Sequence, residues 1–213
     1  ASVPEDKGIL IVTDGVFSMS GDICNLPEIV RLAKKYNARV MVDDAHGLGV
    51  LGKHGRGTAE HFDLEDEVDS YMAAKRDVVE YVKHVSRPFI FSASITPASV
   101  ACARASLKII KEQPERIKAL KDISDYMRDG LRKEGIKFYE TTTPIIPIYT
   151  YEDEKAFLAC KLLLERGVYV NPVISPATPV GQSLLRTSYT ATHTKEQMDY
   201  AIKQIKEVLA IIN

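Results

Sequence analysis

The side chains best suited to chemistry lie where the apolar run at 40–42 gives way to a loop rich in glycine. Asp43, Asp44 and His46 occupy this position. An aspartate at the end of a strand can pair with a cationic ring nitrogen, and a histidine three residues later can stack on a flat ring or transfer a proton. Aspartate and glycine are also common in solvated turns, so the residue types alone leave both interpretations open.

A second polar segment follows an earlier apolar run, at 8–13. It covers residues 14–22 and contains Ser18. In open parallel sheets, ligands bind beyond the carboxyl ends of the strands, so we expect Ser18 and Asp43 to face one crevice. A polar turn before a helix would have the same composition. Two polar strand ends in one sheet nevertheless favour a small-molecule site over a binding module.

Alternating strands and helices must position these residues. The continuous apolar run at 8–13 predicts a strand buried on both faces, 26–36 a helix and Arg39–Asp43 the next strand, which together make a right-handed βαβ unit. The pattern predicts further helices over 77–84, from Pro97, over 114–134, over 154–166 and from 195 onward. It predicts further strands over 88–91, 135–139, 145–149, 168–170 and 184–189, with prolines marking edge strands. The first half is thus predicted to be α/β and the second half α+β.

Composition excludes several classes of protein. The 213 residues include 28 lysines and arginines against 29 aspartates and glutamates, so the net charge of −1 argues against nucleic acid held by bulk charge. No stretch approaches the ~20 apolar residues of a membrane span, and the first residues lack the pattern of a signal peptide. Cys24, Cys102 and Cys160 are far apart and form no CxxC pair, so we expect buried thiols in a reducing cytoplasm and no metal site.

Six segments, taken in order, carry a resemblance to a known family. They are TDGVFSMSGD at 13–22, LPEI at 26–29, VDDAHGLGVLG at 42–52, GRG at 55–57, RPFIFSAS at 87–94 and LRTSYTATHT at 185–194. They resemble motifs of the α-oxoamine synthases, which are pyridoxal-phosphate (PLP) enzymes of fold type I. The resemblance implies that 1–96 is part of the PLP-binding large domain, with a mostly parallel sheet, and that 97–213 is the smaller C-terminal domain.

The resemblance also assigns roles near the cofactor ring. Asp43 matches the aspartate that pairs with the pyridinium nitrogen of PLP and keeps it protonated, so that the ring can accept electrons. His46 matches the histidine near the ring, which is also suspected of acid catalysis on the acyl-CoA carbonyl. Ser18 matches a serine that contacts the cofactor. Asp43 and His46 are therefore the candidate catalytic residues of this chain.

Three further residues match positions that bind the phosphate and the substrate. Ser92 and Ser94 lie where the family offers hydroxyls to the phosphate, often from the neighbouring subunit, which implies a homodimer with shared active sites. Arg186 matches the arginine that holds the carboxylate of the amino acid, a task that suits the planar guanidinium better than a lysine.

The sequence departs from the family at its catalytic lysine. The Schiff-base lysine and its Thr-Phe-Ser-Lys-like motif have no counterpart here, and the block that carries them is missing between about 72 and 73. Lys75 lies at a similar spacing from Asp43, but its flanks resemble the segment after that block, so we predict only that it starts a helix. The N-terminal portion of the family is also absent, and we expect the chain alone to be inactive. Either the sequence omits segments of a complete enzyme, which we favour, or the molecule is truncated.

The resemblance implies a PLP-dependent CoA C-acyltransferase that condenses glycine, serine or alanine with an acyl-CoA to give an α-oxoamine. The segments at 91–100 and 170–177 favour bacterial serine palmitoyltransferases, although similar stretches occur in 8-amino-7-oxononanoate synthases and glycine C-acetyltransferases. The alternative is a lysine-less, non-catalytic subunit or an inactive fragment, against which the presence of Asp43, His46 and Arg186 argues. A nicotinamide-dependent dehydrogenase is excluded, because no GxGxxG motif opens a helix after a strand.

Overall fold

The computed structural model describes residues 4, 7–70 and 74–212. The chain forms two compact units, the first made of Ala1–Val16 and Cys24–Pro114, the second of Phe17–Ile23 and Glu115–Asn213. These are units of packing and do not test the predicted division between 96 and 97, which stays a prediction. The predicted gap in the family pattern, between about 72 and 73, lies outside the described residues.

The first unit opens with the predicted βαβ motif. Strand β1 (Leu10–Asp14) and strand β2 (Arg39–Asp43) pair in parallel, with Asp14 opposite Asp43, and helix α1 (Leu26–Lys35) connects them. Asn25 caps α1 by accepting a hydrogen bond from the backbone N–H of Glu28. The predicted strand–helix–strand order and its parallel pairing are confirmed.

One face of this two-stranded sheet is buried and the other is not. Val40 and Val42 of β2 pack with Val30 of α1 in a common core. Leu10 and Val12 of β1 are 59% and 60% exposed. The prediction of a strand buried on both faces is therefore wrong for the described residues, because they place a packed layer on one face only.

The other named elements of the first unit, within the described residues, are helical and are joined by turns and loops. They are α2 (Thr58–His61), a 3-10 turn at Glu65–Glu67, α3 (Arg76–Val85), α4 (Arg87–Ile90) and α5 (Pro97–Glu112). The predicted strand over 88–91 is wrong, because Pro88 lies in the first turn of α4, where its missing N–H costs no hydrogen bond. Lys75 is the exposed residue just before α3, as predicted.

The second unit packs helices on an antiparallel sheet. Its elements are α6 (Glu115–Lys133), β3 (Ile145–Tyr151), α7 (Asp153–Glu165), β4 (Asn171–Val173), β5 (Ser183–Ser188) and α8 (Lys195–Ile212). The strand order is β3-β5-β4, so the strand with Pro147 lies at an edge, as its proline predicted. Met127, Ile146, Leu185 and Ile205 join helices and sheet in one core.

Two predicted strands of this unit are wrong in place or extent. Residues 135–139 form only an isolated bridge, Phe138 to Ile148, with one hydrogen bond on each side of Phe138. Residues 168–170 are not paired, because the N–H of Val168 donates to Leu163 and closes the end of α7. Pairing therefore begins only at Asn171, the first residue of β4.

The three cysteines differ in exposure. Cys24 is buried and Cys160 half-buried, and burial raises the pKa of both thiols to about 11. Cys102 is exposed, so the prediction of buried thiols is wrong at this position. Among the described residues, no helix is both long enough and apolar enough to cross a membrane.

Candidate functional site

The end of β2 presents a carboxylate and an imidazole to solvent. Asp43 is the last residue of the strand and is exposed. Its Oδ1 accepts a hydrogen bond from the backbone N–H of Ala45 at 3.1 Å, and its Oδ2 has no donor among the described residues. His46 lies in the following turn and is also exposed. The strand end therefore offers one open carboxylate oxygen and, three residues later, an open ring.

The neighbouring Asp44 is buried and accepts hydrogen bonds from the start of α2. It is 1% exposed, and its two oxygens accept from the backbone N–H of Thr58 at 2.8 Å and from the Thr58 hydroxyl at 2.6 Å. Three glycines surround the carboxylate, and a Cβ on Gly15, Gly47 or Gly57 would overlap it. Asp44 thus joins the end of β1, the turn beside His46 and the first residue of α2.

A second buried carboxylate, Glu60, holds the loop before α2. It accepts hydrogen bonds from the backbone N–H groups of His54 and Arg56 and contacts His54 Nδ1 at 2.6 Å. Burial by itself raises the pKa of Glu60, but these hydrogen bonds and the charge of Arg56 outweigh burial and hold the pKa below its usual value. The loop between Asp43 and α2 is therefore tied to two buried carboxylates.

Arg186 is the candidate substrate-binding residue in the second unit. It lies on β5, opposite Pro147 on one side and Asn171 on the other, and it is half-buried. Its Nε donates to the backbone carbonyl of Ser18 at 2.5 Å, and its two terminal nitrogens have no hydrogen-bond partner among the described residues. Burial lowers the pKa of this guanidinium from its usual value. The fork of Arg186 is therefore open to a carboxylate.

A cavity of about 660 Å³ adjoins Arg186 within the second unit. Its wall includes polar side chains of β4 and β5, among them Asn171 and Thr187, and aromatic rings such as Tyr189 and His193. The ring of His193 meets the ring of Tyr189 edge to face. This cavity gives a small carboxylate access to one side of the arginine.

The structure brings the predicted site residues together in two groups. Asp43 and His46 belong to the first unit, whereas Ser18 and Arg186 belong to the second. Ser18 contacts Arg186 through its backbone carbonyl, and this role was not predicted. Ser92 and Ser94 are exposed residues after α4, and the hydroxyl of Ser92 donates to the carbonyl of Pro88.

Sequence reasoning missed the buried residues that hold these groups. Asp44 was considered only as a second polar residue at the strand end, and Thr58 and Glu60 were not considered. A usable signal was present, because Gly47 and Gly57 flank Asp44 and Thr58 along the chain and glycine permits close approach of a side chain. The contact of Asp44 with Thr58 joins residues 14 positions apart, which no local periodicity reveals.

Comparison with known proteins relates this chain to a large enzyme family. A family model described as aminotransferase class I and II matches residues 2–205. A serine palmitoyltransferase of Sphingobacterium spiritivorum is 45% identical over 220 residues, which cover 97% of this chain and 55% of the relative. An 8-amino-7-oxononanoate synthase of Thermosipho melanesiensis is 42% identical, covering 93% of this chain and 54% of the relative. The chain thus spans about half the length of the curated relatives it matches.

Solved structures agree with the same fold. The serine palmitoyltransferase of Sphingomonas wittichii superposes with a TM-score of 0.92 at 33% identity, over 99% of this chain and 57% of that one. A structure described as SPT with PLP matches with a TM-score of 0.92 at 32% identity, again over 99% of this chain and 57% of that one. These similarities confirm the predicted fold class, which is fold type I with an α/β part and an α+β part.

Proposed function

The chain belongs to the aminotransferase class I and II family, and from this premise we propose that the whole protein is a PLP-dependent CoA C-acyltransferase. It would join the acyl group of an acyl-CoA to the Cα of glycine, serine or alanine, releasing CoA and, in most reactions of this kind, carbon dioxide. The observation that carries the proposal is the open carboxylate of Asp43 at the end of a parallel strand, with His46 three residues later.

The residues at the end of β2 fit a pyridinium ring. Asp43 Oδ2 has no donor among the described residues, so it can accept a hydrogen bond from a protonated ring nitrogen. A carboxylate in contact with that nitrogen favours its protonated form. PLP, when bound, supplies an electron sink that stabilises negative charge at the Cα of the amino acid. We propose that Asp43 maintains the charge of the ring and that His46 lies against it and donates a proton to the acyl-CoA carbonyl oxygen.

Arg186 fits the amino-acid carboxylate. Its Nε is engaged by Ser18, which leaves the two terminal nitrogens to form parallel hydrogen bonds with a carboxylate. A carboxylate fixed in this way also fixes the rotation of the amino acid about its Cα, and so determines which Cα bond is aligned for cleavage. We therefore assign Arg186 to substrate binding.

The remaining assignments are proposals of the same kind. Ser18 contacts the cofactor, and the exposed Ser92 and Ser94 donate hydroxyls to its phosphate in the neighbouring subunit. These roles imply a cytoplasmic homodimer with shared active sites. Residues 1–96 would belong to the large domain of the family and residues 97–213 to its small domain.

A second candidate function is a non-catalytic subunit that supports an active partner. The observation in its favour is that the sequence contains no counterpart of the family's lysine motif. The open Asp43 and the open fork of Arg186 argue against it, because a supporting subunit needs neither an electron-sink partner nor a carboxylate clamp.

The test uses the full-length protein, purified and supplied with PLP. It is incubated with glycine, serine or alanine and with acetyl-, pimeloyl- or palmitoyl-CoA, and free CoA and the α-oxoamine are measured by mass spectrometry. We expect one amino acid to give product with at least one acyl-CoA, and the 213-residue chain alone to give none. If the full-length protein takes up PLP and releases no CoA with any pair, the acyltransferase is excluded and the supporting subunit is favoured.

A further inference from the structure

Two threonines hold the segment at 17–23 within the second unit. The hydroxyls of Thr141 and Thr143 both donate to the carbonyl of Gly21, at 2.8 and 2.9 Å. Thr141 is 8% exposed and Thr143 is fully buried. Two hydroxyls on one buried carbonyl satisfy both lone pairs of that oxygen, so the position of Gly21 is closely defined.

Gly21 cannot be replaced without moving this contact. Its φ is +74°, a conformation that disfavours any residue with a side chain. A Cβ at this position would lie 2.7 Å from the carbonyl oxygen of Ile145 and 2.9 Å from the Thr143 hydroxyl. The two threonines and Gly21 therefore form one close-packed unit, which we call the Gly21 clamp.

The Gly21 clamp is connected to Arg186 through the turn that contains Ser18. The backbone N–H of Gly21 donates to the backbone carbonyl of Phe17 at 2.8 Å, and the backbone N–H of Phe17 donates to the backbone carbonyl of Asp22 at 2.9 Å. These two hydrogen bonds close the turn around Ser18, whose carbonyl accepts from Arg186 Nε. Fixing Gly21 thus fixes the acceptor that orients the guanidinium.

A buried charge secures the other side of the clamp. Arg128 of α6 is buried, and its terminal nitrogens donate to the carbonyl of Thr143 at 2.7 Å and to Asp125 at 2.5 Å. The backbone of Thr143 is therefore tied to a helix of the core, and its hydroxyl transmits that position to Gly21. Hydrogen bonds, together with the short backbone segments between them, thus connect α6 to Arg186.

We propose that Thr141 and Thr143 are positioning residues that orient Arg186 for the carboxylate of the amino acid. The proposal rests on the substrate role given to Arg186 above. Without the two hydroxyls, the turn around Ser18 can shift and the Arg186 fork loses its fixed direction. The effect falls on binding of the amino acid, whereas acyl-CoA binding does not depend on the clamp.

The test compares Thr141→Val and Thr143→Val, singly and together, with Thr150→Val as the matched control. Thr150 is a buried threonine of β3 whose hydroxyl has no hydrogen-bond partner in the described structure. In the full-length enzyme with PLP, we expect each single clamp variant to raise the KM for the amino acid about 2- to 10-fold, the effect of losing its one hydrogen bond to Gly21. The KM for acyl-CoA should stay unchanged, and Thr143→Ser should restore the KM for the amino acid.

A second readout needs no cofactor. The rate at which phenylglyoxal modifies Arg186 is followed by mass spectrometry in the cofactor-free, full-length protein. We expect the double valine variant to react faster at Arg186 than wild type, and Thr150→Val to react at the wild-type rate. Unchanged reactivity at Arg186 together with an unchanged KM for the amino acid would overturn the proposal.

Arg186→Lys separates this proposal from the proposed function. If Arg186→Lys raises the KM for the amino acid and the clamp variants behave like Thr150→Val, the positioning role of the two threonines is wrong and the substrate role of Arg186 stands. If Arg186→Lys leaves the KM unchanged, the substrate role of Arg186 fails and the clamp proposal falls with it. If no variant or wild type forms product, the acyltransferase itself is excluded, and the phenylglyoxal rates alone decide whether the clamp orients Arg186.

Discussion

The candidate side chains at the end of β2 and around Arg186 are held in place by different physical means. At the end of β2, the buried carboxylates of Asp44 and Glu60 accept hydrogen bonds from the loop around them. Around Arg186, uncharged hydroxyls and carbonyls of Thr143, Gly21 and Ser18 serve the same purpose, and the buried charge of Arg128 lies one step behind them. An unpaired buried charge costs more free energy than an unpaired hydroxyl. We therefore expect damage at the first region to unfold the protein more readily, and damage at the second to change substrate affinity.

Within the first region, two adjacent aspartates differ in burial and in hydrogen bonding. Burial alternates along β2 and continues one residue beyond it, so that Asp43 is exposed and Asp44 is buried. Asp43 has an open oxygen, whereas both oxygens of Asp44 are engaged by Thr58. The same residue type thus leaves an oxygen open for the proposed chemistry at one position and holds the loop at the next.

The largest expected effect is the loss of enzyme activity when Asp43 is replaced. Asp43→Asn in the full-length enzyme removes the charge that favours a protonated ring nitrogen, and it should lower kcat/KM roughly 100-fold or more. The free energy of unfolding should stay near that of wild type, since the side chain is exposed. Activity assays and urea unfolding of the same preparation check both statements. A variant within tenfold of wild type in activity would mean that Asp43 is a turn residue only.

The second largest expected effect is the loss of protein stability when Asp44 is replaced. Asp44→Ala leaves the N–H and hydroxyl of Thr58 without their acceptor and opens space among three glycines, so it should cost about 2–4 kcal/mol of unfolding free energy. Asp44→Asn should cost less, because the Thr58 hydroxyl can reverse and accept from the amide. Urea unfolding measures both. Equal losses for alanine and asparagine would show that hydrogen bonding to Thr58 is not what Asp44 contributes.

The smallest expected effect is on how the free energy of unfolding depends on pH, to which Glu60 contributes. Its pKa is lowered in the folded state, so its ionisation contributes stability above the unfolded pKa of about 4.3, and that contribution is lost as pH falls through the folded pKa. Glu60→Gln should be less stable than wild type at neutral pH and should lose less stability on acidification. Thermal unfolding over this pH range provides the measurement. Parallel curves for the two proteins would contradict the assigned pKa shift.

The sequence predicted the elements whose apolar spacing is local. Helix α1 and the C-terminal helix follow from apolar residues that recur every three to four positions, and strand β2 from the short apolar run at 40–42. The structure contains all three elements. The region at 88–91 has the residue types of a strand, yet Pro88 suits a helix start, and composition cannot decide between these. The exposed face of β1 was missed because burial of a sheet depends on layers elsewhere in the chain.

The candidate site was predictable only in the residues that match the family's motifs. Asp43, His46 and Arg186 were identified because they match a family pattern. Several residues that hold them act through contacts of long sequence separation, such as Thr143 with Gly21, 122 positions apart. Such contacts depend on the fold rather than on any neighbouring residue, so a single sequence does not reveal them.

The central claim, that Asp43 keeps the cofactor ring protonated, has a direct spectroscopic test. The full-length protein and its Asp43→Asn variant are each loaded with PLP labelled with ¹⁵N in the ring, and the ¹⁵N chemical shift is measured by NMR. We predict the shift of a protonated pyridinium in wild type and that of a neutral pyridine in Asp43→Asn. A neutral ring in wild type, or a protonated ring in both proteins, would contradict the account.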